Sequence, residues 1–92
     1  MWYSDSTWDK PIVAKSGQKW YFKLWHDKVQ SEHIQRIFFW DDSGRETGMA
    51  EFAGDRALRV DRLKQMRVKL ANDAVYRKKF LRKLEFPLER HY

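Results

Sequence analysis

The chain has 92 residues, 42% hydrophobic and 35% charged, with no cysteine and a formal net charge of +6 at pH 7. That length allows one modest core, and that composition is globular rather than disordered. Disulfides and thiolate metal sites are excluded, and the longest apolar run, Ile37 to Trp40, is far too short to span a bilayer.

Residues 1–9 hold Trp2, Tyr3 and Trp8 in a polar context, an arm that is either free or docks its rings on the domain. Pro11-Ile12-Val13-Ala14-Lys15 predicts a short strand, with Ser16-Gly17 as its turn. Two aromatic runs follow, Lys19 to His26 and His33 to Trp40, and they contain seven of the fifteen aromatic residues. Aromatic and β-branched residues suit a pleated sheet, so these predict two antiparallel strands. A loop centred on Val29-Gln30 places Phe22 opposite Ile37 and Trp20 opposite Phe39. One face then carries Trp20, Phe22, Leu24, Ile37 and Phe39, and the other Tyr21, Lys23, Trp25, Ile34, Arg36, Phe38 and Trp40. A one-residue slip would bring Arg36 in among the core rings, which is costly for an unpaired charge. The same register sets Lys23 against Arg36, a repulsive pair that a polyanion or a nearby carboxylate would relieve.

Asp41-Asp42-Ser43-Gly44 predicts a turn, and Arg45 to Phe52 a fourth strand weakened by Gly48. Asp55 is a candidate cap for a helix over 56–71, whose buried stripe would be Val60, Leu63, Met66 and Leu70. Asn72-Asp73 breaks or bends that helix, and Asp73 can cap a second one over 74–84. Its apolar stripe is Tyr76, Phe80 and Leu84 with Leu81 beside it, and Lys78, Lys79, Arg82 and Lys83 cluster opposite. Pro87 ends the helix and leaves 85–92 as a tail. The expected architecture is therefore α+β, in one domain spanning 1–92. A three- to four-stranded antiparallel β-meander, flat or barrel-like, precedes two C-terminal helices packed on one face.

Charge is unevenly placed: seven Lys/Arg against eight Asp/Glu up to residue 52, then twelve against five. That asymmetry suggests a polyanionic partner, against the plainer reading of a solvated basic surface. Rings alternating with cations on a sheet can stack bases and hold phosphates. The candidate nucleic-acid contacts are Tyr21, Lys23, Trp25, Arg36, Phe38 and Trp40 on the sheet, with Lys78, Lys79, Arg82 and Lys83 on the helix. His26 and His33 lie near one turn with Asp27 and Glu32, but the spacing matches no metal motif and a solvated turn is the default. The acidic turn lacks the spacing of a calcium loop, and the chain has neither a Gly-rich phosphate loop nor a nucleophile elbow.

The stretch Ile37 to Gly48, followed by a helix, resembles the strand–turn–strand–helix end of small archaeal chromatin proteins. It also looks a little like the Trp-Gly-Arg nucleic-acid-binding domain. Both resemblances imply nucleic-acid binding and cover about a third of the chain. Trp40-Asp41-Asp42 departs from the Trp-Gly-Arg pattern, and Met49 stands where the chromatin proteins offer a basic contact, so the chain is assigned to neither family.

The expected function is a small non-catalytic nucleic-acid-binding protein, without cofactor or metal. The alternative is a protein-interaction module, homodimer or adaptor, using the aromatic sheet face. A third reading, an enzyme using His26 and His33, stands well behind. The N-terminus lacks the basic start and apolar stretch of a signal peptide, so a soluble cytoplasmic protein without membrane insertion is expected.

Overall fold

A computed structural model describes residues 2, 3 and 5–82. Five antiparallel strands lie in the order β1-β2-β3-β4-β5 as an open sheet, not a closed barrel. They are β1 (Ile12–Val13), β2 (Lys19–Val29), β3 (Glu32–Asp41), β4 (Glu46–Gly54) and β5 (Leu81–Arg82). Helices α1 (Val60–Asn72) and α2 (Ala74–Phe80) come between β4 and β5. The α+β meander with two helices is thus present, with short edge strands on both sides.

The two long strands alternate as their sequences demand. Phe22 and Leu24 on β2, and Gln35, Ile37 and Phe39 on β3, are buried, whereas the residues between them on both strands are only partly so. The register differs from the expected one. Phe22 pairs with Phe39 and Leu24 with Ile37, because the two-residue turn is Gln30-Ser31, one residue later than expected. Gln30 takes the positive φ of 57° that this turn needs. Moving the turn by one residue slides the pairing by two, so the expected faces survive while every cross-strand partner changes. Lys23 now faces Phe38 and Trp25 faces Arg36, so the expected repulsion between Lys23 and Arg36 does not arise.

Beyond Phe39 the β3–β4 register shifts, and the Thr47 hydroxyl donates to the Phe39 carbonyl at 2.9 Å. The turn after β3 forms as expected. Asp41 Oδ1 accepts from the Ser43 N–H, the Ser43 hydroxyl and the Arg45 N–H, and these donors hold its carboxyl below the usual range.

Asp55 does not cap α1. The helix begins four residues later than expected, after Arg59, with no side-chain cap bond. Buried Gln35 explains the delay: its Nε2 donates to the Leu58 carbonyl at 3.0 Å, and its Oε1 accepts from the Leu58 N–H at 2.6 Å. The amide acts as a short strand edge that keeps the β4–α1 linker extended. Asp73 does cap α2, with Oδ1 accepting from Val75 and Tyr76 at 3.0 Å each. Helix α2 ends at Phe80, not at residue 84, and the chain turns into β5 against β4. Gly48 allows that approach, since a Cβ there would run into Leu81 Cδ1 and lie 2.6 Å from the Arg82 carbonyl oxygen.

The core joins Phe22, Leu24, Ile37, Phe39 and Ala50 of the sheet to Leu63, Leu70 and Ala71 of α1, with Trp8 from a 3-10 turn at Ser6–Trp8. The expected α1 stripe thus holds for Leu63 and Leu70, with Met66 half-buried at its edge. Arg67, unforeseen there, is also buried. Its guanidinium lies 4.7 Å from the Trp8 ring and 5.7 Å from Phe22, and burial pushes its pKa down. The N-terminal arm does dock. Trp2 bridges Trp25, the Tyr3 N–H donates to the Leu24 carbonyl, and Asp5 pairs with Lys64 at 2.8 Å. That ammonium, with the Thr7 N–H and hydroxyl, holds the Asp5 carboxyl at about 2.

Candidate nucleic-acid interface

The helices cover one sheet face, and the expected sheet contacts lie on the other. Tyr21, Lys23, Trp25, Arg36 and Phe38 do sit together there, all partly buried. Most already have a partner within the chain. Lys23 Nζ lies 3.6 Å from Asp9, and the Arg36 guanidinium 4.8 Å from the Trp25 ring centre. Arg36 Nε is 3.5 Å from Glu51, and Trp2 rests on Phe38 with ring centres 5.5 Å apart. Trp40, expected at the surface, is only 1% exposed and offers no ring to a ligand.

The expected basic helix face is divided. Lys78 and Lys79 are exposed on α2. Arg82 instead leaves along β5, opposite Met49, and lies 3.7 Å from Glu51 on the outer sheet face. Leu81 follows it into β5, while Lys83 and Leu84 lie outside the described residues.

The histidines meet, although not as direct cross-strand partners. His26 Nε2 and His33 Nδ1 are 2.9 Å apart, and the Tyr3 hydroxyl is 3.2 Å from His26 Nδ1. Burial, reinforced by the charge of His33, lowers the His26 pKa below 6.5. Among the described residues, no three or more His, Asp or Glu side chains are placed to hold a metal. No described helix is long and apolar enough to cross a membrane.

A second basic and aromatic constellation lies on the helical side. Phe80 of α2 packs between Phe52 of β4, at 5.3 Å, and Tyr76, at 4.9 Å. Phe52 projects there because β4 alternates inward at Ala50 and Phe52, and Tyr76 and Phe80 are one helical turn apart. Cations border this ladder. Lys69 Nζ is 5.5 Å from the Tyr76 ring and Lys79 Nζ 5.6 Å from the Phe80 ring. Arg62, two turns before Lys69 on α1, is close enough to oppose the upward shift that burial imposes on the Tyr76 phenol.

Beside the ladder opens a groove of about 390 Å³, lined by Phe52, Leu58, Met66 and Phe80 with Arg56 and Arg62. Among the described residues no carboxylate lies within ion-pair distance of Arg56, Arg62, Lys69, Lys78 or Lys79. Sequence reasoning missed this site because Phe52, Leu58, Met66 and Phe80 come from four segments and each reads locally as core. The available signal was Leu58 set between Arg56 and Arg62 at the boundary of linker and helix. The chain matches no protein-family model, no curated protein and no solved structure, so the functional reading rests on this geometry.

Proposed function

We propose that this chain binds nucleic acid through its helical layer rather than through the open face of its sheet. The observation that carries the reading is the distribution of charge between the layers. Residues 12–54, from β1 to β4, hold six Lys/Arg and six Asp/Glu, whereas residues 55–80, the linker and helices, hold nine against three. Seven of those nine have no carboxylate partner among the described residues, and five of the seven, Arg56, Arg62, Lys69, Lys78 and Lys79, are also exposed. A surface of bare cations is the electrostatic footprint of a phosphate-binding face. Lys78 and Lys79 remain in the interface, and Arg56, Arg62 and Lys69 replace the sheet cations.

The test is fluorescence anisotropy of labelled mixed-sequence duplex and single strand across a salt series. About four phosphate contacts predict a log K against log salt slope of roughly −3 to −4 on duplex. Changing Arg62, Lys69, Lys78 and Lys79 together to Gln should flatten it. If neither DNA nor RNA binds tighter than about 100 micromolar in about 50 millimolar salt, weaker than ordinary non-specific binding, the reading is wrong.

A further inference from the structure

We infer that the groove beside Phe80 takes one unpaired nucleotide, its base against Phe52 and Phe80 and its phosphate at Arg56 and Arg62. This rests on the nucleic-acid reading above and adds what that reading leaves open: a preference for single strands with bases.

Three features favour this occupant. The groove, about 390 Å³, is at the small end of ligand sites, suited to one nucleotide rather than to a helix or an extended chain. Its floor is aromatic and apolar, formed by Phe52, Phe80, Leu58 and Met66, all still partly open to solvent. Aromatic floors accept any base, since every base has a π-face. Arg56 and Arg62 share the lining, and neither has a carboxylate partner among the described residues. The one carboxylate there, Glu51, is already engaged by Arg36 and Arg82 on the sheet side. Uncharged apolar ligands would leave the two arginines unused, and a bare phosphate would leave the rings unused. A nucleotide uses both.

The preference also has a structural reason. A base paired and stacked in a duplex presents only its edges, so it cannot lie against Phe80 without leaving the stack. Duplex binding would use the bare cations alone.

The experiment uses the full chain and four labelled probes at one salt concentration. They are an oligothymidylate of about 12 nucleotides, an all-abasic strand of equal charge, a duplex of the same length, and an acidic peptide rich in phenylalanine. The oligothymidylate should bind at least about fivefold tighter than the abasic strand. Phe80→Leu, which keeps the position apolar, should erase that difference and leave abasic and duplex binding unchanged. Arg62→Gln should weaken every strand while keeping the ratio of base-bearing to abasic strand. Thermal melts of both variants establish that they are folded, and Phe52→Leu serves as the second ring variant if Phe80→Leu is not. Equal binding of the base-bearing and abasic strands would overturn the inference while leaving the phosphate reading intact. A base preference lost with Trp25→Ala but not with either ring variant would move the site to the sheet and overturn it equally. Tight binding of the peptide, with competition against the oligothymidylate, would identify a protein groove instead. Binding of no strand at all would overturn both readings together.

Discussion

Replacing Gln35 by Leu tests whether a single buried amide sets the path of the β4–α1 linker. The substitution nearly conserves volume and adds no strain, so its effect isolates two bonds, Nε2 to the Leu58 carbonyl at 3.0 Å and the Leu58 N–H to Oε1 at 2.6 Å. A hydrogen bond contributes about 0.5–1.5 kcal/mol net, and a buried partner left unpaired costs about 1–3 kcal/mol. Leu58 is half-buried, so water can reach its freed groups in part, and the larger penalty does not apply in full. Leu at a site that is 1% exposed also gains some apolar burial. The net expectation is a loss of about 2 kcal/mol, a substantial share of the roughly 5–14 kcal/mol available to a domain this size. Urea unfolding at constant m-value measures it, and hydrogen exchange at the Leu58 amide locates it. That amide should exchange faster in Gln35→Leu while the amides of Ile37 and Leu63 change only by the global loss. A variant as stable as the parent, with Leu58 still protected, would refute the account of the linker.

Gly48→Ala should cost about 2–4 kcal/mol in a urea melt, because the φ of 151° disfavours a side chain and the added Cβ runs into Leu81 and Arg82 of β5. A loss below about 0.5 kcal/mol would mean that β5 shifts away at almost no cost. Stability should also fall as pH drops from about 7 to 5. The folded His26 pKa lies below its unfolded 6.5, so the unfolded chain takes up the proton first, and the sign is a loss on acidification. His33 and Tyr3, both in contact with His26, and the Asp27 carboxylate are among the groups whose charge or hydrogen bonding it feels. Urea midpoints across that range should flatten in His26→Gln; an unchanged slope would show that the imidazole pair is not its source.

The faces of the sheet were legible and its register was not, for one reason. Alternation of apolar and polar residues specifies parity alone, and a two-residue slide between β2 and β3 preserves parity. The register is tied to contacts that periodicity does not contain: Arg36 on the Trp25 ring, and Gln35 reaching Leu58. The break at Asn72-Asp73 was legible because Asp73 acts within its own helix, through bonds two and three residues on. The C-terminal end of α2 was not. Residues 78–83 contain good helix formers, yet Leu81 and Arg82 pair with Ala50 and Met49, a tertiary preference that overrides local propensity. Of the two-residue edge strands, β1 was legible from Pro11 to Lys15 and the Ser16-Gly17 turn, whereas β5 leaves no periodic signal. Arg67 was hidden in the same way, since a basic residue next to Met66 reads as the solvent side of the stripe until Trp8 covers it.

The fate of the cations separates what the fold uses from what it leaves for others. Arg67 is taken inside, where two ring faces substitute for solvent and its Nε and Nη1 make no hydrogen bond among the described residues. Arg77 lies over Trp20 and donates to the Leu70 carbonyl near the end of α1, where the helix dipole favours a positive charge. Lys23, Arg36, Arg82 and Lys64 meet carboxylates in pairs exposed enough to contribute little to stability. On the outer sheet face Asp9 and Glu51 offset most of the charge of Lys23, Arg36 and Arg82, whereas Lys64 is paired on α1. Arg56, Arg62, Lys69, Lys78 and Lys79 have no carboxylate partner among the described residues, and screening by salt is what keeps their mutual repulsion tolerable. Two of them, Arg56 and Arg62, line the groove, and two more, Lys69 and Lys79, lie against the rings that border it. Nothing in the folding of this chain calls for bare charge at that place. A polyanion that carries aromatic bases would relieve the repulsion and cover the rings in one contact, and this proximity of cations without carboxylate partners to half-open aromatic rings is the ground for proposing the helical layer rather than the self-paired sheet.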